Sequence, residues 1–201
     1  ERVVTGWRLT GVTCVDANSA VTGNSGTFGT LAGTVATIPA AFLEPAADIT
    51  CTFTNEKLAR LVIQKTAVGG SGTFSYTTSG GLTPATFDLA PNPPTTPTVS
   101  QTFANLVPGA YSVTESASAT FQLTDLSCVA SGTSAPGSTV TTSTTTRTIT
   151  ATFVAGADYT CTYTNVRDAS VALAKVTVGG DTTFGFTTTG TVSTSALSGA
   201  A

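Results

Sequence analysis

Three polar residues close apolar faces in this chain of 201 residues. Alternating stretches place Leu61, Ile63 and Lys65 on one side, Tyr111, Val113 and Glu115 on another, and Tyr159, Cys161, Tyr163 and Asn165 on a third. A lone buried lysine or glutamate is costly unless it is paired or neutral. An amine, a carboxyl group and an amide aimed at one core are therefore expected to meet there. The residues themselves leave two outcomes open besides any reaction among the three: Lys65 and Glu115 as a buried ion pair with the Asn165 amide hydrogen-bonded to both, or no meeting at all.

The four cysteines carry the second chemistry. They sit in two matching frames: ERVVTGWRLTGVTC followed by ADITCTFTN, and ESASATFQLTDLSC followed by ADYTCTYTN. Glu1 thus corresponds to Glu115, Trp7 to Phe121, Cys14 to Cys128, Cys51 to Cys161 and Asn55 to Asn165. The stretch between the cysteines is longer in the first frame. One disulfide per frame is expected, Cys14 with Cys51 and Cys128 with Cys161. A four-cysteine metal site would need close Cys-x-x-Cys pairs, which are missing, so no metal is expected. Free thiols are the remaining alternative.

The rest of the unit also recurs. LVIQKTAVGGSGTFSYTTSG from Leu61 matches VALAKVTVGGDTTFGFTTTG from Val171, with Lys65 opposite Lys175. The chain then divides into the C-terminal half of one repeat (1–56), a complete repeat (57–166) and the N-terminal part of a third (167–201). It contains no methionine, which marks it as a processed product or one window of a longer repetitive polypeptide.

The elements that must position these residues are strands. Period-two patterns rich in β-branched and aromatic residues predict strands near 60–67, 72–78, 85–89, 99–104, 110–116, 119–128, 146–153 and 158–165. Gly69-Gly70, Gly179-Gly180 and the proline cluster Pro91–Pro97 read as turns or loops. Thr141–Thr148 reads as an exposed β-rich edge or loop. Trp7, like its counterpart Phe121, reads as a core position. Asp48 and Asp158 read as turn residues. Together these patterns predict an all-β fold of tandem Greek-key β-sandwich modules, Ig-like or prealbumin/transthyretin-like.

Composition excludes several functions. Charged residues make up 9% of the chain and the formal net charge is -3, so neither nucleic acid nor an anionic membrane surface is an expected partner. There is no histidine, the commonest general base and metal ligand. No nucleophile motif, cofactor motif or apolar run of membrane-spanning length, about 20 residues, is present. No turnover enzyme activity and no cofactor are expected.

The marks LVIQK, YSVTE and TCTYTN, in that order, resemble the collagen-adhesin B-type, or pilin-like prealbumin-fold (SpaA-like), repeat of bacterial surface proteins. The resemblance covers 57–166 fully and the flanking pieces in part. It implies an extracellular structural module of a fibre, stalk or surface layer, whose partners are neighbouring copies of the same repeat. A host or matrix ligand held by an adhesin is the alternative. It further implies an intramolecular isopeptide bond in which Lys65 is the amine, Asn165 the electrophilic amide and Glu115 the catalytic acid. Glu1, Asn55 and Lys175 are the equivalents in the partial repeats. They raise a second possibility, head-to-tail polymerisation by completing a split domain across chains.

Overall fold

The computed structural model describes residues 1–131, 136–180, 182–187 and 197–198. Residues 1–167 form one compact unit and 168–201 a second.

The first unit begins with an antiparallel pair, β1 (Trp7–Asp16) and β4 (Ile49–Lys57). Between them lie a one-turn helix α1 (Ser19–Thr22), a small hairpin of β2 (Thr30–Ala32) and β3 (Val35–Thr37), and a 3-10 turn at Ala40–Phe42. The carboxylate of Asp16 organises this insertion. It accepts from the Thr22 hydroxyl, the Asn24 amide and the backbone N–H groups of Asn18 and Asp48. Four donors on one carboxylate pull its pKa down to about 2, the Thr22 hydroxyl contributing most.

The complete sandwich follows: β5 (Ala59–Val68), β6 (Phe74–Ser79), β7 (Thr86–Leu89), β8 (Thr98–Leu106), β9 (Gly109–Glu115), β10 (Phe121–Ala130), β11 (Thr139–Ser143), β12 (Thr148–Phe153) and β13 (Asp158–Arg167). One sheet has the order β10-β13-β5-β8 and the other β11-β12-β9-β6-β7. Every pairing is antiparallel except that of β5 with β13, the first and last strands of the sandwich, which run parallel. Alternation puts the apolar face of each strand inward. Leu61, Ile63, Tyr76, Val113, Ile149, Phe153 and Tyr163 are fully buried between the sheets, each contributing roughly 1.5–3 kcal/mol. Tyr76 packs edge-on to Tyr163 and stacks on Phe87. The Tyr163 hydroxyl crosses the interior to donate to the Val113 carbonyl at 2.7 Å.

Each strand expected within 57–166 has a counterpart. The Thr-rich stretch takes the edge position expected of it: β11 and β12 form a hairpin at the edge of the five-stranded sheet. The two copies of the cysteine frame agree in detail. In each, a bulge expels one threonine, between Leu9 and Gly11 and between Leu123 and Asp125. Thr10 and Thr124 then donate to the carbonyls of Thr54 and Thr164, both at 3.1 Å. The glycine turns also match: Gly69 and Gly179 sit at φ +85° and +88°, a region open to glycine at little cost.

Trp7 departs from the expectation. Its counterpart Phe121 is 5% exposed, whereas Trp7 is 44% exposed. The pair β1–β4 is a sheet of two strands; Phe28 bridges to Cys14 and covers that end, but no second sheet covers Trp7 as one covers Phe121.

The second unit contains β14 (Thr183–Phe184) paired with β15 (Leu197–Ser198). Its segment 168–177, the counterpart of β5, is not in a strand and is largely exposed.

Candidate functional site

The site lies between the two sheets. Strand β5 is flanked by β13 on one side and β8 on the other, so it is an interior strand of its sheet. Lys65 follows Leu61 and Ile63 on that inward face and is fully buried. Glu115 ends the inward row Tyr111, Val113 of β9 in the opposite sheet. Asn165 ends the row Cys161, Tyr163 of β13. Glu115 is 1% exposed and Asn165 and Lys65 are 0% exposed.

The three side chains meet. Lys65 Nζ donates to Glu115 Oε2 at 2.6 Å and to Asn165 Oδ1. Asn165 Nδ2 donates to Glu115 Oε1 at 2.8 Å. The amine also stands over the Phe74 ring, 3.9 Å from its centroid, a favourable seat for a cation. Tyr76 supplies a further donor to Glu115 Oε2 at 3.1 Å.

One participant was not singled out from the sequence. Arg147 Nη1 donates to Glu115 Oε1 at 3.0 Å, and the Arg147 carbonyl accepts the Glu115 N–H at 3.0 Å. Arg147 leads into β12 at φ +57°, a backbone region that L-residues seldom occupy. Its side chain is 22% exposed, so it reaches the carboxylate from the rim. The available signal was its being the sole cation in TTSTTTRT.

Burial dominates the electrostatics. Desolvation pulls the Lys65 ammonium down to about 8, Glu115 pulls it back up, and the positive charge of Arg147 adds to the depression. Desolvation, reinforced by the charge of Glu115, pushes the hydroxyls of Tyr76 and Tyr163 far above their ordinary range, so both stay protonated and act as donors. The arrangement holds an amine whose charge is easily lost, an amide beside it, and a carboxyl group touching both.

The equivalent positions in the partial repeats are placed differently. Asn55 Nδ2 donates to Glu1 Oε1 and Oε2 at 2.9 and 3.3 Å, on the open β1–β4 pair and in contact with solvent. Lys175, in the second unit, lies over the Phe184 ring at 4.3 Å, repeating the relation of Lys65 to Phe74.

The cysteines pair within each frame. Cys14 bonds Cys51 and Cys128 bonds Cys161, each joining residues directly opposite in an antiparallel register. Asp158 pairs with Arg60 at 3.2 Å, and the Asp48 carbonyl accepts from Ala17 N–H as the Asp158 carbonyl does from Ser131. Among the described residues no group of three or more acidic, cysteine or histidine side chains gathers to hold a metal. No helix among them is long and apolar enough to cross a membrane.

A family profile described as a prealbumin-like fold domain, of the SpaA type, matches residues 1–57 and again 61–167. The chain belongs to the prealbumin-like fold family. This agrees with the sandwich and with the resemblance drawn from LVIQK, YSVTE and TCTYTN. SpaA-type prealbumin-like domains are structural parts of surface proteins, and two disulfides fit an oxidising compartment. No curated protein and no solved structure matches the chain significantly.

Proposed function

We propose that this prealbumin-like chain is a structural segment of an extracellular bacterial fibre, stalk or surface layer, stapled internally by a Lys65–Asn165 isopeptide bond. The carrying observation is the fully buried contact of Lys65 with both the Asn165 amide and the Glu115 carboxylate. In the reaction, the neutral Lys65 amine attacks Cγ of Asn165. Glu115 takes a proton from the attacking nitrogen and passes it to Nδ2. The Nζ–Cγ bond forms, the Cγ–Nδ2 bond breaks, and ammonia leaves. The event occurs once per module, so this is not a turnover enzyme. Because β5 and β13 are the first and last strands of the sandwich, a pull on the two ends of the module would pass through the cross-link and spare the fold between. The repeats are read as 1–56, 57–166 and 167–201, with further copies of the unit as partners.

A second reading is favoured by the preassembled Glu1–Asn55 contact and by Lys175 seated on Phe184. In it, Lys175 of one molecule joins Asn55 of another, giving a head-to-tail polymer. An adhesin holding a host or matrix ligand has no comparable observation behind it.

Intact and peptide mass spectrometry of the non-reduced protein tests both readings. The isopeptide removes one ammonia, about 17 Da, and yields a branched Lys65–Asn165 peptide. An inter-chain Lys175–Asn55 peptide would establish the polymer. An unmodified Lys65 in the folded protein would sink the staple.

A further inference from the structure

We propose that Arg147 is the positioning residue of this site: it serves as the counter-ion of Glu115, so that Lys65 need not be a cation and can stand as the nucleophilic amine. The inference rests on the isopeptide reading for its consequence, and on geometry for itself.

A carboxylate with no exposed surface requires a positive partner. Two are in reach. Lys65 Nζ lies 2.6 Å from Oε2 and Arg147 Nη1 lies 3.0 Å from Oε1. Only one is needed to balance the charge, and the two cations differ in what they can give up. A guanidinium keeps its proton in a protein, whereas a buried ammonium readily loses one. Arg147 is also partly solvated at the rim, where holding a charge costs less than it does at Lys65. Arg147 therefore leaves Glu115 a positive partner when Lys65 gives up its proton.

The other groups facing Lys65 oppose none of this. They are Glu115 from β9, Tyr76 and Phe74 from β6, and Tyr163 and Asn165 from β13. Both tyrosines are neutral, so among the described residues Arg147 is the one positive neighbour. Its charge depresses the Lys65 ammonium. The β11–β12 turn delivers it: the positive φ at Arg147 aims its carbonyl at the Glu115 N–H while its side chain reaches the carboxylate. Arg147 thus grips Glu115 at both backbone and side chain, and it fixes Oε1 toward the Asn165 amide. Among the described residues neither exposed partial site has such an arginine: Asn55 Nδ2 donates to Glu1, and Lys175 is seated on Phe184.

The test follows the full chain, kept in denaturant from synthesis with its disulfides formed and then refolded by dilution at fixed pH. Loss of 17 Da is timed by intact mass. Arg147→Gln is expected to slow the reaction about ten-fold at pH 7 and to move the midpoint of the rate–pH profile up by about one unit. Arg147→Lys, which keeps the charge, is expected to retain the wild-type midpoint. A purely structural role for Arg147 would slow folding or lower stability without moving that midpoint. A second measurement separates the proposal from the cross-link itself. In an Asn165→Ala chain, which cannot react, the Lys65 amine is titrated through its 15N shift with Arg147 present and with Gln in its place. A midpoint raised by Arg147→Gln supports the inference even if wild-type protein never loses 17 Da, an outcome that would remove the staple alone. Unchanged rate profiles or an unchanged Lys65 titration would overturn it.

Discussion

Lys65 and Asn165 lie on adjacent parallel strands, one inward-facing step out of register: Lys65 is level with Tyr163, and Asn165 with Ala67. Both face the interior, and the long lysine side chain spans the step to reach the amide oxygen. The parallel pairing that makes this possible also means that a bond here ties the start of the sandwich to its end.

Glu115→Ala should remove the proton carrier and leave Lys65 buried without its partner. The cross-link is expected to be absent and the module to lose roughly 3–5 kcal/mol, the usual cost of stripping one partner from a buried pair. Urea unfolding followed by tryptophan-independent far-UV signal, beside intact mass, measures both. A variant that still loses 17 Da would exclude Glu115 as the proton carrier.

In chains that cannot cross-link, Lys65 makes stability depend on alkaline pH. Its ammonium titrates at about 8 when folded against the ordinary 10.5 when unfolded. Between those values the unfolded chain binds more protons, so stability rises as pH rises through that window. The burial cost is fully present below about pH 8 and relieved above 10.5. Asn165→Ala should therefore gain up to roughly 3 kcal/mol from pH 8 to 10.5 relative to Asn165→Ala/Lys65→Met. Parallel slopes in the two chains would show that Lys65 carries no such shift.

Asp16 acts in the opposite direction. Its folded value of about 2 lies below the ordinary 3.8, so its anchoring is present above that ordinary value and is lost as pH falls through about 2. Pepsin should spare the stretch 17–48 at pH 4 and cut it near pH 2. Asp16→Asn should make it cleavable already at pH 4. Equal cleavage of wild type and variant at pH 4 would mean that the carboxylate does not hold the insertion.

The two disulfides should differ in what they protect. Loss of Cys128–Cys161, by serine substitution at both positions, is expected to cost about 2–5 kcal/mol while the sandwich remains folded. Loss of Cys14–Cys51 removes a tie from a pair of strands that has no second sheet to pack on. That change should abolish protection of β1 and β4 in hydrogen exchange and leave 59–167 protected. Loss of protection in both regions would show that the first frame folds only as part of the sandwich.

Much of this architecture was legible in the chain. Alternation is local and follows from strand geometry, so LVIQK, YSVTE and TCTYTN each disclosed which side chains face inward and that each row ends in a polar residue. The matched cysteine frames likewise disclosed the pairing, because a repeat must close each bridge within itself. Two features were not legible. Arg147 stands in a run of hydroxyl residues with no period to assign it a face, and a hairpin with a positive φ decides its direction. Trp7 carries the same pattern as Phe121, yet one is exposed and the other buried.

The sequence by itself determined the strands, their inward faces, the disulfide frames and the trio of Lys65, Glu115 and Asn165. Only the tertiary structure decided which copy of that trio is buried. TCTYTN and TCTFTN form the same bulged strand pair, but β5 and the opposing sheet cover Asn165 and leave Asn55 in solvent. Desolvation and reach are properties of what packs across a strand from distant parts of the chain, and no local pattern records them.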